Sequence, residues 1–235
     1  MYKSNNSIHC KLCPVRMLSV FCEVGDTDLN SLNSEKNCIR FGKRQTVFQK
    51  GQVAHGIYVI YSGKVKLYQL NENGREQIVR LKKTGDIIGY RSFLCGEVYS
   101  STAETLEESS ICFIKRDMLA GMMQRNPSIK TNLINLLAED LKRAEDNLTA
   151  MVQSSVKKRM ARVLLNLKES FGEGQEEGPI QIILKREELA NLAGITTETA
   201  IRVLSGFKKG KIIASIGKQI TLLNEKKLME ISSMS

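Results

Sequence analysis

Residues 184–213, LKREELANLAGITTETAIRVLSGFKKGKII, constrain the fold of this chain more than any other segment. Leu189, Leu192 and Ala193 mark one face of a helix. Gly194 stands where that helix needs a left-handed residue to end. Thr196 or Thr197 supplies the capping oxygen of a second helix, with Glu198 and Thr199 in its first turn. Ala200, Val203 and Leu204 face inward, and the small residues Ala190 and Gly194 let two helices cross closely. Two helices joined by so tight a turn form a helix-turn-helix.

The second helix, residues 197–207, then exposes Thr197, Glu198, Ile201, Arg202 and Ser205. Glu198 and Arg202 are four apart and therefore neighbours. As a surface ion pair they contribute roughly a few tenths of a kcal/mol. As base readers they have complementary chemistry: arginine donates two hydrogen bonds to guanine, and a carboxylate accepts from the cytosine amino group. GKQITLL, which follows, has the form of a hairpin wing with Lys218 close to a nucleic-acid backbone. From Thr196 to Ile220 the basic residues are Arg202, Lys208, Lys209, Lys211 and Lys218, against the single acid Glu198. The whole chain carries a formal charge of +10. Both features suit a polyanionic partner and binding that weakens as salt rises.

Upstream the periodicity is different. Between Arg40 and Lys115 short apolar runs are punctuated by glycine: GIYVIYSGKVKLYQL (56–70) reads as a hairpin about Gly63, NENG (71–74) as a turn, and REQIVRL, KKTGDIIGY and SSICFIKRDM as further strands. Such a series predicts a β-roll of jelly-roll type. Leu133, Leu137, Leu141, Ala144, Leu148 and Met151 then recur every three or four residues, giving a long helix entered at Pro127. Its stripe serves either to pack on its own β-roll or to pair with a second copy. A further helix spans 156–171, and GEGQEEGP (172–179) reads as a surface loop. The expected architecture is α+β: a β-roll sensor domain in residues 1–153, with an N-terminal cysteine arm (1–22) and the dimerisation helix at about 127–152, and a winged helix-turn-helix in 154–235.

Composition removes other classes. With 42% hydrophobic residues, a mean hydropathy of −0.21 and no apolar run of the ~18 residues a membrane span needs, a globular chain is expected. The N-terminus, MYKSNNSIHCKLCPVR, lacks a secretory pattern, so the cytoplasm is the expected location. In that reducing setting the six cysteines suggest metal or redox chemistry rather than structural disulfides. His9 and His55 belong to no acid–base or metal constellation, and no phosphate-binding loop or nucleophile elbow occurs, which argues against an enzyme.

These features together resemble the CRP/FNR superfamily of bacterial regulators, over almost the whole chain. The resemblance implies a transcription factor, an activator in many members, that binds a palindromic operator of double-stranded DNA as a homodimer and contacts RNA polymerase. Glu198–Leu204, ETAIRVL, corresponds to the family's recognition helix. Glu198 and Arg202 would read bases, with Thr197 and Ile201 beside them. Lys185, Arg186, Thr196, Thr199 and Lys218 fall at positions that touch phosphate. A ligand-gated interaction module without specific DNA binding is the competing expectation.

The effector pocket by resemblance comprises Gly89, Tyr90, Arg91, Ser100 and Ser101. Members that bind cyclic AMP place a glutamate after the glycine and an arginine before the serine; here Tyr90 and Ser100 occupy those positions, so cyclic AMP is not the expected effector. The FNR branch points instead to cysteines. SIHCKLC resembles the start of its cluster motif, and Cys10, Cys13, Cys22 and the distant Cys112 would make four ligands for a [4Fe–4S] cluster or a zinc ion. Eight residues separate Cys13 from Cys22, more than in the familiar pattern, and redox-active free thiols are the other reading. Cys38 and Cys95 read as small core residues.

Overall fold

In the computed structural model, which describes residues 9–72, 74, 76–171 and 181–233, the chain divides at Lys142/Arg143 into two units. The first opens with short 3-10 turns, Cys10–Leu12 and Pro14–Leu18, and helix α1 (Asp26–Glu35). Eight strands follow: β1 (Asn37–Phe41), β2 (Thr46–Phe48), β3 (Gly56–Ser62), β4 (Lys64–Leu70), β5 (Glu76–Lys83), β6 (Ile87–Ile88), β7 (Thr102–Thr105) and β8 (Ser109–Lys115). They form two antiparallel sheets, ordered β1-β8-β3-β6 and β2-β7-β4-β5. Phe41, Phe48, Ile60, Val65, Ile88 and Ile111 form one apolar core with residues from both sheets. A second core joins Ile57 and Ile114 to Phe21 of the arm, Leu29 of α1, Leu119 and Met122 of α3 (Arg116–Arg125), and Ile129 and Leu133 of α4 (Pro127–Gln153). Ile57 and Ile60 lie on opposite faces of β3, as a period of two requires.

The segment about Gly63 differs from the sequence expectation. β3 and β4 do not pair; they lie in different sheets, and Gly63 is the corner between them. Its φ is +99°, and a Cβ there would fall 2.2 Å from Ser109 Oγ, so the corner admits only glycine. The hairpin is one strand later, β4 with β5, in register from Lys64↔Lys83 to Leu70↔Glu76. Alternating apolar residues show that a segment is a strand and not which strand it joins.

Along α4 the apolar stripe divides. Leu133 is buried and Leu137 packs partly against the β-roll core. Ile134, Leu141 and Leu148, seven residues apart, are 60–66% exposed.

The second unit contains α5 (Val156–Phe171), β9 (Gln181–Ile183), α6 (Arg186–Ala193), α7 (Thr197–Lys209), β10 (Ile213–Ile216), β11 (Gln219–Leu222) and α8 (Glu225–Ser233). Leu164, Leu189, Ala200, Phe207, Ile220 and Leu228 are buried within it. Its sheet, ordered β10-β11-β9, is antiparallel. The loop expected at 172–179 lies outside the described residues. Among the described residues no helix is long and apolar enough to cross a membrane.

Candidate nucleic-acid interface and sensor cavity

Helix α6 stops because Gly194 turns left-handed, with φ +61° and ψ +45°. The N–H of Gly194 then reaches the Asn191 carbonyl (3.1 Å) and that of Ile195 reaches Ala190 (3.0 Å), closing the helix end. Thr196 is the cap of α7: its Oγ1 accepts the backbone N–H of Thr199 at 3.2 Å, which decides between the two threonines. Arg159 holds the turn from behind, donating to the carbonyls of Met151 (2.9 Å) and Gly194 (3.4 Å).

With the cap fixed, the rotation of α7 follows from its apolar residues. Ala200, Leu204 and Phe207 are buried, so Glu198, Ile201, Arg202 and Ser205 are left exposed on the outer side. Thr197 and Thr199 are half-buried beside them. β10 and β11 pair from Ile213↔Leu222 to Ile216↔Gln219, so Gly217 and Lys218 form the wing tip, with Lys218 exposed.

Arg186 does something sequence reasoning missed. Its guanidinium donates to Ser215 Oγ and to the Gly217 carbonyl (3.1 Å), tying the start of α6 to the wing. Burial pulls its pKa below the usual arginine value. Lys208 adds a bond to the Ser215 carbonyl at 3.3 Å. No local pattern signals these ties, because the partners are 29 and 7 residues away in the chain. Lys185, half-buried, precedes α6, and its backbone N–H donates to Glu188 Oε2 at 2.6 Å.

In the first unit, Gly89, Tyr90, Arg91, Ser100 and Ser101 line one open cavity, together with Arg80 and Lys82 of β5. Gly89 has φ +82° and starts α2 (Tyr90–Cys95). Tyr99 stacks on Phe48 at 4.0 Å and donates to the Gly56 carbonyl at 3.0 Å. Burial raises the phenol pKa of both Tyr90 and Tyr99, and the Asp140 carboxylate raises that of Tyr90 further. Both therefore remain hydrogen-bond donors at neutral pH.

The four-cysteine expectation meets a different arrangement. Cys112 faces Cys38 across β8 and β1, with Cα atoms 4.0 Å apart, and the two form a disulfide. Cross-strand pairing brings them together, and sequence spacing hides it. Cys10 is buried and its sulfur accepts from Lys36 Nζ at 3.0 Å; Cys22 receives Asn132 Nδ2 at 3.7 Å. Cys13 is half-buried. Among the described residues no group of three or more histidine, cysteine or acidic side chains is arranged to hold a metal ion. Cys10, Cys13, Cys22 and Cys112 as arranged do not fit a [4Fe–4S] cluster or zinc, since a disulfide sulfur is not a thiolate ligand. Cys38 is a core residue as expected, whereas Cys95 is exposed at the end of α2.

Comparison with known proteins adds to this geometry. Residues 38–126 match a family model described as a cyclic nucleotide-binding domain, and residues 158–231 match a Crp-like helix-turn-helix domain. A fumarate and nitrate reduction regulatory protein from Vibrio cholerae serotype O1 is 29% identical over 233 residues, covering 97% of this chain and 92% of its own length. FixK2 from Bradyrhizobium japonicum has a similar fold, with a TM-score of 0.74 and 24% identity over 85% of this chain and 98% of its own. A transcriptional regulator of the CRP/FNR family from Thermus thermophilus gives a TM-score of 0.72 at 23% identity, covering 84% and 98%.

Proposed function

This chain belongs to the CRP/FNR superfamily of DNA-binding transcriptional regulators, and from that premise we propose that it binds a palindromic operator as a homodimer, with α7 of each copy in the major groove. The observation that carries the reading is the exposed face of α7, where the Thr196 cap and three buried residues leave Glu198, Ile201 and Arg202 outermost. Arg202 donates to a guanine edge and Glu198 accepts from a cytosine amino group. Ile201 and Thr197 add apolar and hydroxyl contacts. Lys185, Thr196, Thr199 and Lys218 bind phosphate, and Arg186, whose guanidinium is tied to the wing, stands at a further phosphate position.

Ile134, Leu141 and Leu148 support a dimer seam, since exposed apolar residues every seven positions pair best with a second such helix. Residues 154–235 are the DNA-reading part and 1–153 the sensing part. The cavity about Tyr90 takes a small effector other than cyclic AMP, and the protein acts in the cytoplasm together with RNA polymerase. Like its relatives it is a regulator and not an enzyme. A cluster or zinc ion on Cys10, Cys13, Cys22 and Cys112 conflicts with the Cys38–Cys112 disulfide, so no step runs through one.

Operator selection from random duplexes with the purified chain tests the proposal. An enriched inverted repeat, bound by two chains with half-sites about one helical turn apart, is expected. No enrichment, or binding of one chain to a single half-site, overturns it.

A further inference from the structure

The cavity of the β-roll holds an uneven set of charges. Arg80, Lys82 and Arg91 line it. Arg91 is exposed and has no ion-pair partner among the described residues. The carboxylate that meets the other two does not come from the β-roll strands. It is Asp140 of α4, with its side chain only 7% exposed, 3.2 Å from Arg80 Nε and 3.6 Å from Lys82 Nζ. Tyr90, a third wall residue, donates its phenol hydrogen to Asp140 Oδ2.

Lys66 provides the contrast. It is also buried in the β-roll, yet it has two carboxylates, Glu76 and Glu104, both from its own sheet. A cation satisfied in that way is a closed structural unit. Arg80 and Lys82 share one carboxylate, borne by a helix, beside open space and a third cation. An arrangement of two cations, a phenol donor and a serine-lined wall suits any small oxyanion, because each group can donate to its oxygens.

We propose that Asp140 is a tethered counter-ion for this cavity: it stands in for the acid group of a small oxyanion, a phosphate or a carboxylate, which displaces it from Arg80, Lys82 and Tyr90. The position of α4 on the β-roll then depends on whether the cavity is filled. The regulatory consequence rests on the reading of the chain as a dimeric operator-binding protein; the competition for the cations does not. Displacing Asp140 without replacement leaves the buried Lys82 and the half-buried Arg80 unpaired, which is unfavourable. An anion that enters restores the pairing and frees the carboxylate to solvent.

Calorimetric titration of the full chain with inorganic phosphate, and separately with succinate, at constant ionic strength tests this. Asp140→Asn removes the internal competitor and is expected to bind one of the two anions at least about tenfold more tightly than the wild type, at one site per chain. Arg80→Gln in that background is expected to abolish the gain. The preferred anion distinguishes a phosphate-bearing effector from a carboxylate. If Asp140→Asn does not fold, hydrogen exchange of the wild type decides: saturating anion should speed exchange over residues 134–142 and leave β8 unchanged. Equal affinities of wild type and variant, a gain that survives Arg80→Gln, or unchanged exchange overturns the proposal. Operator binding measured in parallel keeps the two readings apart: a chain that shows the competition but no operator affinity loses the regulator reading alone.

Discussion

Arg186 at the start of α6 donates to the carbonyl of Gly217, 31 residues on, so the first helix of the helix-turn-helix and the tip of the wing are held together by one guanidinium. Arg186→Ala removes that tie and leaves the wing carbonyl to water. Hydrogen exchange over residues 213–222 is expected to quicken, with a stability loss of about 1.5–3 kcal/mol, as for other hydrogen bonds to a charged group. On the proposed reading, in which the wing binds phosphate through Lys218, operator affinity should fall alike on all sequences.

Arg202 and Lys218 should separate base reading from phosphate binding. Arg202→Ala is expected to cost about 1–3 kcal/mol at one base pair of each half-site and to relax preference there. Lys218→Ala should weaken every duplex equally and lower the salt slope by about 1 per chain. Binding titrations on an operator and its single-base variants, at several salt concentrations, give both quantities. A uniform loss for Arg202→Ala would reassign it to a phosphate.

Gly63 stands at a corner with φ +99° and Ser109 Oγ 2.2 Å from where a Cβ would be. Gly63→Ala is therefore expected to destabilise the first unit by roughly 2–4 kcal/mol, from backbone strain and overpacking together. Gly74→Ala is the comparison. It too has positive φ, +70°, but nothing lies within 4 Å. Denaturant unfolding of the two variants measures the steric part as their difference.

Thiol counting tests the Cys38–Cys112 bond. Alkylation in denaturant without reductant should modify four cysteines, and six after reduction. In the folded protein Cys95, the exposed thiol, should react first. Six modified thiols in both conditions would show the pair to be reduced.

Asp28 gives a pH signature. Hydrogen bonds from Arg125 and then Asn126 hold its carboxyl below the usual 3.8. A depressed folded value means the stabilisation is complete above the unfolded value and is lost as pH falls through the folded one, below about pH 4. Asp28→Asn should flatten that part of the acid-stability curve. Arg125 is exposed, so the change is expected to stay under about 1 kcal/mol.

The C-terminal half was legible because its signals are local. A left-handed glycine, a capping threonine and a 3.6-residue period lie within a few positions of what they determine, so the turn and the outward face of α7 follow from residues 189–204 alone. The β-roll was legible as strands but not as sheets. The segment about Gly63 looks like a hairpin, and the absence of pairing between β3 and β4 depends on distant partners, β8 and β7. Cys112 was misread for the same reason. Its partner is set by the register of two strands distant in sequence, whereas the four-cysteine expectation came from spacing along the chain. Asp140 and Arg186 act across 50 and 31 residues, and nothing near either in sequence announces its partner.

Cys38 and Cys112 lie on the first and last strands of the β-roll, 74 residues apart in sequence. The covalent bond between them closes a ring that contains every other strand of both sheets. Tension applied between the N-terminal arm and the long helix would enter at Cys38 and leave at Cys112 across a single sulfur–sulfur bond. The strands inside the ring, and the cavity they enclose, would bear almost none of it. Reduction would place all of them in series with the load, so the mechanical resistance of the sensor depends on the oxidation state of one pair.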